Sequence, residues 1–131
     1  MSQSAAPTVE ATPYEIIGGE PSLRRLVNRF YDIMESEPTA APLRAMHAAD
    51  LSPMRQRLFE FMSGWMGGPR LYSDCVVGAH AHLQIGKAER DQWLQCMRQA
   101  MAEQAVSEPM RSQMDSALAR MAGAFVSRDR R

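Results

Sequence analysis

Few residues in this chain offer chemistry beyond surface charge. There are 3 histidines, His47, His80 and His82, and 2 cysteines, Cys75 and Cys96. Cys75, His80, His82 and Cys96 carry donor atoms that suit zinc, but their spacing matches no compact Cys/His pair arrangement. A cysteine beside a histidine would make a nucleophile and its base, yet no third group is placed to orient such a pair. A histidine outside regular structure is ordinarily a surface residue. Tyr31 and Trp93 lie on the apolar stripes of two different helices. They read either as core aromatics whose O–H and N–H find partners, or as polar tips aimed into a ligand cavity between helices.

The elements that must hold these residues follow from hydrophobic periodicity. Leu23, Leu26, Val27, Phe30, Tyr31 and Met34 recur every three or four residues and mark one face of a helix beginning near Pro21-Ser22. Glu37 to Asp50 contains Pro38 and Pro42 and reads as a loop with a short helical turn. Ser52-Pro53 predicts an N-cap and first-turn proline, followed by the stripe Met54, Leu58, Phe61, Met62 and Trp65. Gly67-Gly68-Pro69 stops that helix. After Gly86 a third helix turns Trp93, Met97, Ala100 and Met101 inward and Lys87, Glu89, Arg90 and Asp91 outward. A fourth begins at Ser107-Glu108-Pro109, with Met110, Met114, Leu118, Met121 and Phe125 as its stripe. No alternating strand pattern competes, so the class is all-α.

The 131 residues fit one domain, read as a flexible leader over 1–13, a helical domain over 14–127 and a basic tail over 128–131. The 15 basic and 15 acidic side chains cancel, unlike a general nucleic-acid binder. No apolar run is long enough to span a membrane. Residues 1–13 lack the pattern of a secretory signal, and two cysteines make no disulfide framework, so the expected compartment is the cytoplasm.

Four stretches together resemble the group II truncated haemoglobins: Phe30-Tyr31, Ser63 to Pro69, Tyr72, and Ile85 to Met97 with its Glu89-Arg90-Asp91 and Trp93. The resemblance runs from about Tyr14 to about Phe125. It implies a short, globin-like two-over-two helical sandwich enclosing haem b, iron protoporphyrin IX. By position it implies His80 as the metal ligand, because the family's ligating histidine precedes the equivalent of Ile85 by five residues. It implies Tyr31, His47 and Trp93 as the distal residues that stabilise the ligand. Met54, Leu58, Phe61, Met62, Tyr72 and Met97 complete the cofactor-binding set. The stretch Arg70 to Ala79 is shorter than in the family and lacks its arginines. That leaves Arg55, Arg57, Arg70 and Lys87 as candidate propionate partners, and His82 as the rival ligand.

The implied partners are O2, NO, CO or similar small molecules, with redox chemistry on NO or peroxide and a reductase as extensions. The chain would be a monomer or a homodimer. Ferrous haem shifts charge onto O2, and Tyr, Trp and His each bring a donor to that charge. Two rival readings are a haem-free helical interaction module on the same scaffold and a dedicated NO dioxygenase or peroxidase-like enzyme.

Overall fold

The computed structural model describes residues 11–72, 85–124 and 126. His80, His82, Cys75, Phe125, residues 1–10 of the expected leader and the 128–131 tail lie outside them. Among the described residues no strand occurs. Helix α1 spans Pro13–Ile17, α2 Gly19–Ser36, α3 Ala41–Ala45, α4 Ser52–Trp65, α5 Lys87–Glu103 and α6 Glu108–Gly123, with a 3-10 turn over Pro38–Ala40. Helix α2 packs on α4 and on α5, and α5 packs on α6. The pairs α2–α4 and α5–α6 thus form two layers joined where α2 crosses α5, the two-over-two arrangement expected from the sequence.

Helix α1 takes in Pro13, so helical order begins inside the segment read as leader. A capping box explains it: Thr12 N–H donates to Glu15 Oε1 at 3.0 Å, and Glu15 N–H donates to Thr12 Oγ1 at 3.2 Å. Tyr14 N–H then donates to Met66 O at 3.0 Å, tying α1 to the end of α4.

All six stripe residues of α2 are buried, together with Ile33. The helix starts at Gly19, two residues before Pro21, because Gly18 takes a left-handed φ of 113° that turns the chain out of α1. It ends at Glu37, whose ψ of 117° is the extended conformation that Pro38 imposes on its predecessor.

Helix α4 departs from the sequence reading in two ways. Its N-cap is Leu51, not Ser52. Ser52 is the first helical residue, and its N–H donates to Asp50 Oδ1 at 3.0 Å. Burying Leu51 at the helix mouth shifts the start by one residue and hands the capping role to Asp50. The helix also has two apolar faces. Phe59, Met62 and Met66 are buried in the core, whereas Met54, Leu58, Phe61 and Trp65 form a partly buried row. At 100° per residue that row is rotated from the Phe59–Met66 edge by roughly 110°.

In α5, Met97, Ala100 and Met101 are buried as the periodicity predicts, along with Leu94 and Cys96. Glu89 is not simply part of the solvated face, since its carboxylate accepts the Gly86 N–H at 2.8 Å and caps the helix. Ala105 closes the α5–α6 turn in the left-handed region at φ 60°, and Val106 N–H reaches back to Met101 O at 3.1 Å. Helix α6 buries Met110, Met114, Leu118 and Ala122. Buried methionines run through the core: Met34, Met62, Met66, Met97, Met101, Met110 and Met114.

The stop after α4 shows why its glycines are there. Gly67 adopts φ 90°, and a Cβ on Gly68 would lie 2.5 Å from Tyr14 Cγ. Gly68→Ala should therefore cost about 1–3 kcal/mol in denaturant unfolding. The same substitution in a Tyr14→Ala background should cost well under half as much, and equal costs in the two backgrounds would show that this contact is not the cause.

Candidate functional site

Consecutive residues on a helix point about 100° apart, so Phe30 and Tyr31 face different neighbours of α2. Phe30 is fully buried and meets Tyr31 edge-on at a centroid distance of 4.8 Å and Trp93 of α5 at 5.0 Å. Tyr31 meets the His47 ring at 6.0 Å, with the planes 77° apart. Phe30 thus gathers Tyr31 and Trp93 on one platform, and Tyr31 brings in His47. The three residues expected to surround a ligand come from α2, α5 and the segment after α3.

Tyr31 is 3% exposed, and its hydroxyl forms no hydrogen bond among the described residues. Burial pushes its pKa well above the ordinary 10.0, and the Arg55 charge opposes that shift. The Arg55 guanidinium sits 5.8 Å from the Tyr31 ring centroid. It donates to Asn28 O at 2.9 Å and to Asp32 Oδ1 at 2.7 Å. The half-buried Trp93 likewise has no indole hydrogen bond among the described residues.

His47 is pinned rather than loose. Its Nδ1 lies 2.9 Å from Leu43 O, and Leu43 N–H donates to Gln92 Oε1 at 3.2 Å. Arg44 donates to Ala48 O and Ala49 O, both at 2.9 Å, and pairs with Glu35 at 3.3 Å.

A second aromatic group lies along the partly buried row of α4. Phe61 stacks on Trp65 at 6.3 Å and meets Tyr72 edge-on at 6.1 Å. Met54 and Leu58 continue the row. Met62 and Met97, read as cofactor-binding, are both sealed in the core at 0% exposure. His80, expected to bind the metal, and its rival His82 lie outside the described residues. Among the described residues no cluster of three metal-binding side chains occurs. Cys96 is buried and its thiol pKa is raised, first by burial and then by the Glu37 charge, which suits a small core side chain rather than a nucleophile.

Sequence reasoning missed two residues and gave a third another role: Arg55, one of four candidate propionate partners, is engaged with Asn28, Asp32 and the Tyr31 ring. Gln92 and Arg44 went unremarked, because each acts on the backbone of another segment and a side chain's backbone partner leaves no pattern in sequence. Adjacency of Gln92 to Trp93 was the only available hint.

The helix pairs, the buried Phe30–Tyr31 pair and the facing Trp93 define a truncated globin. The chain belongs to the bacterial-like globin family, whose model matches residues 12–127. Within that family its likeness is to group II. It is 33% identical over 94 residues to the group 2 truncated hemoglobin YjbI of Bacillus subtilis, covering 68% of each chain. The group II 2-on-2 hemoglobin of Agrobacterium tumefaciens superposes with a TM-score of 0.87 at 35% identity, covering 92% of this chain and 97% of that one. The cold-adapted truncated hemoglobin of Pseudoalteromonas haloplanktis gives 0.86 at 35% identity, covering 90% and 99%. Haem binding and small gaseous ligands are properties of this family. Among the described residues no helix is long and apolar enough to cross a membrane.

The raised Tyr31 pKa has a consequence for stability. Below pH 10 the folded and unfolded chains both hold the tyrosine proton. Above it the unfolded chain releases the proton while the folded chain keeps it, so stability falls as pH rises. Ultraviolet titration of the native protein should show one tyrosine that stays un-ionised until unfolding, and this component should be absent from Tyr31→Phe. Ionisation of every tyrosine near pH 10 in the folded protein would contradict the burial.

Proposed function

We propose that the chain binds haem b and, through it, O2 and other small diatomic ligands, with Tyr31, Trp93 and His47 around the ligand and His80 as the iron's protein ligand. The observation that carries this reading is the pair of aromatic donors, Tyr31 O–H and Trp93 N–H. Both pack on Phe30, and neither has a hydrogen-bond acceptor among the described residues. Tyr31 is buried and Trp93 half-buried, so both can turn a polar hydrogen toward an acceptor that a bound ligand brings. The partly buried row Met54, Leu58, Phe61 and Trp65, with Tyr72 beside it, is an apolar face of the kind a flat macrocycle needs. Donor set and apolar row together fit a haem carrying a small polarised ligand.

Haem supplies, when bound, an iron that accepts a diatomic ligand and pushes electron density onto it. Tyr31 keeps its proton across the physiological range and so remains a donor. Trp93 has no other protonation state to adopt. Phe30 holds both rings, so they meet a partly negative atom without reorganising. Burial strengthens each such bond by excluding water. Arg57, Arg70 and Lys87 are exposed cations, in no ion pair among the described residues, that can meet propionates. Arg55, the fourth candidate, already pairs with Asp32 at 2.7 Å.

An absorption band in the Soret region of the purified protein is the direct test, and its absence after added haem would remove the reading. A hydrogen bond to a charged atom contributes about 1.5–3 kcal/mol. Trp93→Phe should therefore speed O2 dissociation by about tenfold or more, taking about 1.4 kcal/mol per decade. An unchanged off-rate would return Trp93 to the role of a core aromatic. The ligand assignment is checked separately: His80→Ala should lose the iron–histidine bond of the ferrous spectrum, while His82→Ala retains it.

A further inference from the structure

Ser63 is fully buried, and among the described residues it is the one buried polar side chain. A helical serine ordinarily points to solvent or turns its hydroxyl back to a carbonyl one turn earlier. Here the hydroxyl donates forward, past the end of α4, to Pro69 O at 2.7 Å. Gly68 N–H returns to Ser63 O at 2.7 Å, so backbone and side chain of Ser63 hold the same turn. Beyond it, Pro69, Arg70, Leu71 and Tyr72 belong to no helix, and Pro69, Arg70 and Leu71 are exposed. Among the described residues the Ser63 bond is the one hydrogen bond that this segment makes. Gly64 permits the close approach, since a Cβ there would lie 3.3 Å from Arg70 Cα. Residues three apart on a helix share a side, so a chain crossing Gly64 runs beside Phe61. Tyr72, shortly after the crossing, meets the Phe61 ring edge-on at 6.1 Å.

We propose that Ser63 is a positioning residue for the haem pocket: its hydroxyl seats the Pro69–Arg70 backbone on α4, and that seat holds the Tyr72 ring against Phe61 at the end of the apolar row. Met54, Leu58, Phe61 and Trp65 all belong to α4, whereas Tyr72 comes from outside it and is placed by no regular element. The Tyr72 hydroxyl forms no hydrogen bond among the described residues, so the ring depends on its packing and on the seat. An edge-on ring pair sets direction but is weak alone. Without the Ser63 hydroxyl, Pro69 O turns to water, and the segment is free to lift and carry Tyr72 off Phe61. An apolar wall that lifts opens the edge of a bound macrocycle to water, and the macrocycle then leaves faster. The inference rests on the proposed haem reading for the identity of the pocket's occupant.

The test measures transfer of haem from the protein to excess apomyoglobin. Ser63→Ala keeps the Cβ and favours the helix, so the fold is retained. Haem loss should quicken by about fivefold, the equivalent of one ordinary hydrogen bond. Tyr72→Ala should quicken it too, and adding Ser63→Ala to that variant should change nothing further. In a Tyr72→Phe background, which keeps the ring, Ser63→Ala should again give its full increase. The same increase in the Tyr72→Ala background, or none in the otherwise unaltered protein, would overturn the proposal. The ring contact is read independently. The diamagnetic ferrous CO protein should show a nuclear Overhauser contact between the Phe61 and Tyr72 rings that weakens in Ser63→Ala, and its survival at full strength would mean that Ser63 does not hold Tyr72. If the protein takes up no haem, the haem reading fails, while the same ring contact, read on the haem-free protein and its Ser63→Ala variant, still decides the role of Ser63.

Discussion

The Phe30 ring is the contact on which the other parts of the site depend. It is fully buried at the crossing of α2 and α5 and receives the edges of two aromatic side chains that each carry a polar hydrogen. Edge-to-face packing contributes about 0.5–1.5 kcal/mol per pair beyond area burial and, more to the point, sets direction. A Leu at this position would fill the space without orienting either ring. Two helices far apart in sequence are thereby made to present O–H and N–H groups from one platform, with no polar bond between those two side chains.

Charge around the platform is arranged to hold backbone. Arg55 links α4 to α2 through Asn28 and Asp32, and Arg44 ties Glu35 to the carbonyls of Ala48 and Ala49. As exposed ion pairs these would contribute little to stability. Their effect is geometric: the Arg55 guanidinium spans two helices, and that of Arg44 spans α2 and the connection after α3. Arg55 also places positive charge over the Tyr31 ring, partly offsetting the effect of burial on its hydroxyl.

The long helices were legible because each buries a stripe with helical spacing, and α2 matches its pattern residue for residue. Element ends were less so. Ser52 looked like a cap, and Asp50 performs that role because Leu51 is drawn into the core. Ala105 turns left-handed at a place where sequence rules look for glycine. Sequence spacing put Met62 on one stripe with Met54, Leu58, Phe61 and Trp65, whereas the fold buries Met62 with Phe59 and Met66 and leaves the other four as a separate, partly buried row. Tyr31 and Trp93 could be singled out by residue type and stripe, and the resemblance to group II truncated haemoglobins gave them a role. Gln92, Arg44 and the second task of Arg55 could not, since their partners are backbone atoms or a ring face brought near only by the fold.

The seven buried methionines give this interior an unusual mechanical character. Thioether side chains are unbranched and turn about three bonds at low cost, so a core built from them is soft where a core of Val and Ile is stiff. Met34, Met62, Met97 and Met101 lie on α2, α4 and α5 and belong to the same buried core as Phe30. Room for something the size of a diatomic molecule can open there by rotamer change alone, leaving the helix axes where they are. The polar groups of the platform stay fixed while the apolar medium around them yields.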